Sequence, residues 1–253
     1  MIDVILARMQ QGHRTIAYPA QEPTLPDRLR GLPIIDGSKC PSGCRECAEA
    51  CPTNAIKFDD HKLRLDLGRC LFCTDCTEAC PKEAIHYTPE YRLATRQRED
   101  LILEGQMLKR AEQLDEQSRR LFGRSLKLRQ VSAAGCNACE ADLNVLSTVV
   151  FDLGRFGIQF VASPRHADGI VVTGPVSENM RSALLDTYAA MPPPKLVIAV
   201  GACAISGGPF SDNPEVHNGC GSLVPVDLFI PGCPPHPLTI LDGLLRLLGR
   251  LES

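Results

Sequence analysis

Eight of the thirteen cysteines lie between residues 40 and 80, in two arrays that each close with Cys-Pro. The second array, "CLFCTDCTEACP", places Cys70, Cys73, Cys76 and Cys80 before Pro81 at the C-x2-C-x2-C-x3-C-P spacing of bacterial ferredoxins. The first, "CPSGCRECAEACP", places Cys40, Cys44, Cys47 and Cys51 before Pro52, with one extra residue after Cys40. Thiolates at these gaps hold iron–sulfur clusters, and the chemistry is one-electron transfer. In two-cluster ferredoxins the last cysteine of each array ligates the other array's cluster. That crossing rule assigns Cys40, Cys44, Cys47 and Cys80 to one [4Fe-4S] cluster, and Cys70, Cys73, Cys76 and Cys51 to another. Pro41 and Gly43 allow an expanded loop to deliver Cys40; the competing reading leaves Cys40 outside and this cluster incomplete or three-iron. C-x2-C pairs also build four-cysteine zinc sites. Two runs of this form, each ending in its proline, favour iron–sulfur. "PTNAIKF" and "PKEAIHY" follow the arrays, so the unit repeats after about 29 residues.

"AGCNACEADL" holds only half a donor set, Cys136 and Cys139, far in sequence from every other cysteine. Three cysteines lie downstream. Cys203, in "LVIAVGACAISGG", and Cys233, in "VDLFIPGCPPHP", each stand directly beyond a buried-strand signal. Sites in open α/β sheets form outside the carboxyl ends of strands. A glycine one or two residues ahead of each cysteine lets the backbone approach a bulky group. Cys220 lies instead in the turn-rich "EVHNGCGS". The expected third [4Fe-4S] site is therefore Cys136, Cys139, Cys203 and Cys233. The competing reading exchanges Cys220 for one of them.

The elements that must position these residues fall into four sections. Pro19, Pro23, Pro26 and Pro33 make residues 1–39 an extended arm. Residues 40–92 form the ferredoxin unit. Residues 93–124 read as a helical linker, with apolar Leu101, Met107, Leu108, Ala111 and Leu114 at helical spacing and a weak interruption at Gly105. In residues 125–253, "ADLNVLSTVVFDLGRF", "ENMRSALLDTYAAM" and the amphipathic "PLTILDGLLRLLGRL" read as helices. "IQFVA", "GIVVTG", "KLVIAVG" and "VDLFIPG" read as strands. Short apolar strands alternating with helices indicate a parallel sheet covered on both faces. The expected architecture is an α+β two-cluster ferredoxin domain followed by an α/β domain with a parallel sheet.

With 44% hydrophobic and 23% charged residues, the chain can bury a core. A net charge of -3 gives no electrostatic reason to expect nucleic acid or an anionic membrane as partner. No apolar stretch approaches the ~18–20 residues of a membrane span, and "MIDVILARMQQGHRT" carries no signal-peptide pattern. The cysteines are expected as thiolate ligands in a reducing cytosol, with any membrane attachment through a partner.

"GCNACE", "SPRHADGIVVTGPV", "GACAISGG" and "VPVDLFIPGCPPHP" resemble the small subunit of membrane-associated [NiFe] hydrogenases of the formate hydrogenlyase type. More distantly, they resemble the matching subunit of respiratory complex I. "AYPAQEPTLPDRLRG", "GRCLFCTDCTEACP" and "PEYRLATRQRED" resemble the ferredoxin-like subunit of formate hydrogenlyase. Together the two resemblances cover nearly the whole chain, which looks like a fusion of two neighbouring subunits. They imply a flavodoxin-like fold for residues 125–253, with the third cluster next to a large subunit's active site. They also imply nickel on that separate subunit, so hydrogen chemistry is not expected in this chain. Glu140 is the one candidate for catalysis, as a proton relay at that interface; the plainer reading is an acid in a first helical turn. The complex I subunit has adjacent cysteines where this chain has Cys136-Asn137-Ala138-Cys139, which favours the hydrogenase side. Cys220 and the residue inserted after Cys40 depart from the family pattern.

The implied partners are a [NiFe]-hydrogenase-like large subunit, membrane-anchor subunits, and a low-potential donor protein or a formate or carbon monoxide dehydrogenase module. The implied place is the cytoplasmic face of the inner membrane. The expected function is electron transfer through three [4Fe-4S] clusters. A subunit of a nickel-free hydrogenase-related or complex I-like quinone oxidoreductase is one alternative. A free-standing polyferredoxin is the other, although a carrier needs no α/β docking domain. Arg165, His166 and Asp168 read as folding or interface residues, and His13, His61, His86, His217 and His236 as surface or packing residues. Ser206-Gly207-Gly208 lacks the lysine of a phosphate loop and reads as backbone shaped around the cluster.

Overall fold

The computed structural model describes residues 2–41, 43–59, 62–104 and 108–251. The chain begins with helix α1 (Ile2–Gln11), none of whose residues is buried. This corrects the extended arm over those residues: the first proline is Pro19, so nothing earlier breaks a helix. The irregular chain that follows is pinned to the C-terminal half. Ile16 N donates to Val150 O at 2.9 Å, and the buried Tyr18 hydroxyl donates to Asp242 Oδ1 at 2.8 Å.

The cysteine-rich section is built from β1 (Pro33–Ile35), α2 (Glu46–Glu49), β2 (Ile56–Asp59), β3 (Lys62–Asp66), α3 (Asp75–Glu78) and β4 (Ile85–Tyr87). Strands β1 and β4 pair antiparallel. Strands β2 and β3 form a hairpin to which β5 (Ile102–Glu104) adds a third antiparallel strand. The repeat is visible in the fold: Ile56 opens β2 and Ile85 opens β4, 4% and 2% exposed. Burying such a side chain stabilises the fold by about 1.5–3 kcal/mol.

The helical linker is a second correction. Of the described residues between 93 and 124, only α4 (Glu116–Phe122) is α-helical; its cap is Asp115 Oδ1, which accepts from Ser118 N at 3.0 Å. Gly105 and Met107 lie outside the described residues. Leu101 and Leu103 are buried while Ile102 and Glu104 are exposed, a period of two rather than 3.6. Leu103 stands opposite Leu65 in β3, each 2% exposed. So the three-stranded sheet extends past residue 92, and pairing with β3 overrides helical propensity. Thr95 exchanges both backbone hydrogen bonds with Phe229, at 3.0 and 2.9 Å. The linker thereby covers a sheet edge that would otherwise be open.

The rest comprises β6 (Leu126–Ser132), α5 (Ala138–Val145), β7 (Ile158–Phe160), β8 (Gly169–Thr173) and α6 (Glu178–Ala190). After these come β9 (Leu196–Val200), α7 (Ala202–Ser206), β10 (Leu228–Ile230) and α8 (Pro237–Leu247). The five strands are all parallel, in the order β10-β9-β8-β6-β7. Numbered within the sheet this is 2-1-3-4-5, the flavodoxin-like order, and its switch point lies between β6 and β8. Every residue of β8, β9 and β10 is buried, as strands covered on both faces require. Strand β6 had no counterpart in the sequence reading. Helix α5 stops at Val145, short of the expected Phe156. Helix α8, expected to be amphipathic, is buried along its whole length. Its polar residues are satisfied internally: Arg246 Nε donates to Asp242 Oδ2 at 2.8 Å.

Candidate iron–sulfur sites

Cys40, Cys44, Cys47 and Cys80 line one cavity together with Phe58 and Ile85. Cys40 therefore faces the same space as its three companions despite the inserted residue. Burial pushes the Cys47 thiol up to about 11, assisted by Cys40, Cys76, Cys80 and Cys44. In the second array, burial pushes Cys70 up to about 12, with Cys76 and Cys51 acting in the same direction. Cys76 is raised by burial, and by Cys73 and Cys51. Cys80 thus shares a cavity with the first array, and Cys51 stands close enough to Cys70 and Cys76 to act on both.

The two crossing cysteines have matching surroundings. Ala55 N donates to Cys51 Sγ at 3.2 Å, and Ala84 N donates to Cys80 Sγ at 3.3 Å. The residues just before the donors, Asn54 and Glu83, hold φ of 52° and 49°. This left-handed kink, used twice, turns the next N–H toward sulfur. Within the second group, Phe72 N donates to Cys70 Sγ at 3.3 Å. The arm braces the same loop, with Arg30 Nη1 donating to Phe72 O at 2.9 Å and Cys73 O at 3.3 Å.

The third group is assembled at the carboxyl ends of the parallel strands. Cys136 and Cys139 follow β6, Cys203 lies in α7 after β9, and Cys233 follows β10. The thiol of Cys139 is raised by burial, then by Glu140, Cys203, Cys233 and Cys136. Cys203 is pushed up to about 11 by burial and by Cys233 and Cys136. Glycine is demanded here by space. A Cβ on Gly201, whose φ is +89°, would stand 2.5 Å from Cys139 Sγ; one on Gly208 would stand 2.8 Å from Cys203 Sγ. Cys136 and Cys233 are exposed, so this group opens on the surface.

The groups adjoin in one order. Helix α2, which carries Cys47 of the first, packs against α3, which carries Cys76 of the second, and Phe72 of the second group's loop lines one cavity with Cys233 of the third. A cavity of about 310 Å³ beside Cys233 is lined by Arg28, Arg30, Phe72, Asp142 and His236. Cys220 stands apart: it is fully buried, its thiol is pushed up to about 12 by burial, and no other cysteine contributes.

These surroundings suit iron–sulfur ligation. Desolvated thiols crowded together resist ionising, and bound metal removes that cost by deprotonating them outright. Among the described residues, no three His, Cys, Asp or Glu close on the volume of a single metal ion. A cubane is a larger body and spreads its four thiolates farther apart.

Glu140 is 4% exposed, in the first turn of α5. Its Oε1 accepts from Ser132 Oγ and Thr173 Oγ1, both at 2.6 Å. These are the last residues of β6 and β8, so the carboxylate bridges the switch point. Burial works against its charge, but the two hydroxyls outweigh burial and hold the carboxyl below its usual range. The buried Oε2 has no hydrogen-bond partner among the described residues. Asp168 Oδ2 accepts from Lys127 N at 2.6 Å, a fold-stabilising role, while Arg165 and His166 are exposed. His217 pairs with Glu178 at 2.6 Å and His236 caps α8. His61 lies outside the described residues. The bracing Arg30, the hydroxyls of Ser132 and Thr173, and Tyr87 are not among the site residues expected from the sequence. Only Tyr87 had a sequence signal, its fixed place in the repeat.

Residues 39–84 match the 4Fe-4S dicluster domain, and residues 136–247 match the NADH ubiquinone oxidoreductase 20 Kd subunit family. Over 145 residues the chain is 39% identical to the "Probable membrane-bound hydrogenase subunit mbhJ" of Pyrococcus furiosus, covering 57% of this chain and 87% of that protein. The chain belongs to the 20 Kd subunit family. It carries a dicluster domain ahead of the 20 Kd subunit domain. It is 46% identical over 130 residues to "Formate hydrogenlyase subunit 7" of Escherichia coli (strain K12), and so spans about half of that relative, 51% of each chain. It is 39% identical over 122 residues to an NADH-quinone oxidoreductase subunit of Heliobacterium modesticaldum, covering 48% of this chain and 70% of that one. Among the described residues, no helix is long and apolar enough to cross a membrane.

Proposed function

We propose that this chain is an electron-transfer subunit with three [4Fe-4S] clusters, working between a low-potential donor and the [NiFe] large subunit of a membrane-associated hydrogenase. The carrying observation is the order of the thiol groups: the first adjoins the second through α2 and α3, the second adjoins the third across the cavity that Phe72 and Cys233 line, and the third opens on the surface. When bound, the clusters supply one-electron transfer. Cys40, Cys44, Cys47 and Cys80 would hold the first; Cys51, Cys70, Cys73 and Cys76 the second; Cys136, Cys139, Cys203 and Cys233 the third. The protein's part is to fix their spacing, exclude water and set their surroundings. Joining the dicluster and 20 Kd sections in one chain removes a subunit interface from that path. The third group's open side is where the large subunit would dock. Membrane-anchor subunits would hold the assembly at the cytoplasmic face of the inner membrane, and a formate or carbon monoxide dehydrogenase module is a fitting donor.

Anaerobic purification of the tagged chain with its native partners tests this reading, with bound nickel and hydrogen evolution from a low-potential donor as readouts. Nickel with hydrogen is the expected result. A co-purifying large subunit without either would make the complex a nickel-free or complex I-like quinone oxidoreductase, and no large subunit at all would make the chain a free carrier.

Glu140 is proposed as the proton relay beside the third group. Its Oε2 has no hydrogen-bond partner among the described residues and is open to a proton donor, and Ser132 and Thr173 fix the carboxylate in place. Glu140→Gln keeps Oε1 but loses the ionisable proton site. Proton-coupled turnover of the complex should fall by about 10²-fold, the lower end of general acid–base contributions, with all clusters retained. Unchanged turnover would remove the role.

A further inference from the structure

Phe58 and Tyr87 occupy the same position of the 29-residue repeat, two residues after the isoleucine that opens each strand. Phe58 lines the cavity shared by Cys40, Cys44, Cys47 and Cys80. Tyr87 stands at the second group, its hydroxyl 3.7 Å from Cys70 Sγ and 3.9 Å from Cys76 Sγ. The two aromatic residues thus serve their thiol groups from corresponding places, and they differ by one oxygen. Between thiols and a phenol, either partner can donate. Once Cys70 and Cys76 are thiolates on iron they have no proton to give, so the phenol must be the donor. Cys70 and Cys76 are both buried, and the Phe72 ring stands 6.0 Å from the Tyr87 ring between centroids. A hydrogen bond there is less diluted by water than one at the surface.

We infer that Tyr87 tunes the second cluster: its hydroxyl donates to the Cys70 or Cys76 thiolate and raises that cluster's reduction potential, a bond Phe58 cannot supply to the first. The inference rests on the two-cluster reading above. A donated hydrogen bond favours the more negative, reduced state, and hydrogen bonding to sulfur is an established control of cluster potential. One net bond of ordinary strength changes the reduced-to-oxidised ratio by about fivefold. The second group lies between the first and the third. A donor there draws an electron inward from the first group, toward the exposed face where a partner would dock.

The test is a spectroscopically monitored redox titration of the full chain, purified anaerobically with its clusters, as wild type, Tyr87→Phe and Phe58→Tyr. Tyr87→Phe should lower one cluster only, with its reduced-to-oxidised ratio at the wild-type midpoint down about fivefold. Phe58→Tyr should raise a different cluster by a similar factor. Tyr87→Phe with full iron and unchanged potentials would overturn the inference. So would loss of the second cluster without any shift in Phe58→Tyr, since the hydroxyl would then be structural. A wild type whose iron and sulfide content falls short of two clusters in the dicluster section would overturn the cluster reading itself, before any titration.

Discussion

The two halves of this protein gather thiols by opposite means. In the dicluster half, the thiols come from short arrays, and local backbone devices aim them: the kinks at Asn54 and Glu83, and the N–H groups of Ala55 and Ala84 that follow. Little beyond the repeat is needed. In the 20 Kd half, Cys136, Cys203 and Cys233 are brought together only because β6, β9 and β10 run parallel and end on the same side. There the sheet supplies convergence, and glycine supplies clearance. The first half should therefore be sensitive to changes within an array. The second should be sensitive at positions that carry no sulfur at all.

The sharpest break of that contrast is at Gly201. An added Cβ would lie 2.5 Å from Cys139 Sγ, on a backbone with φ of +89° that side chains rarely adopt. Gly201→Ala should cost the third cluster and spare the other two, lowering iron from about twelve to about eight atoms per chain on the three-cubane reading. Gly221, where a Cβ meets nothing within 4 Å, is the control and should keep all its iron as alanine. Equal iron in the two variants would mean that the third group does not need the clearance, and the contrast between the halves would fall.

The same contrast explains what could be read before the fold was known. The arrays are local, so spacing and the crossing rule group their cysteines, and in the structure Cys40, Cys44, Cys47 and Cys80 line one cavity. Cys203 and Cys233 were legible because strand signal and glycine stand immediately before them. The 93–122 segment misled because Leu101, Leu108, Ala111 and Leu114 fit a helical period, while the pairings that decide its path lie far away in sequence, at Leu65 and Phe229. Strand β6 was hidden by Lys127, Arg129 and Gln130, which make its alternation look like surface chain. The clasp on Glu140 could not be read at all. It depends on β6 and β8 being neighbours, a fact of strand order.

A smaller effect sharpens the comparison inside the dicluster half, where crossing joins the cysteines of one array to those of the other. Cys51→Ala should loosen the group containing Cys70, Cys73 and Cys76; Cys80→Ala should loosen the group containing Cys40, Cys44 and Cys47. Each should cost about four irons, the whole cluster whose ligand is missing. Iron loss alone does not say which group was opened, but the freed thiols do. Anaerobic alkylation followed by peptide mapping should label Cys70, Cys73 and Cys76 in Cys51→Ala, and Cys40, Cys44 and Cys47 in Cys80→Ala. The opposite pattern would mean that each array closes on itself. In that case Cys51 would sit with Cys44 and Cys47, against the neighbours that act on Cys70 and Cys76 here. The N–H donors of Ala55 and Ala84 would then serve the near cluster rather than the far one, and the dicluster half would be local throughout.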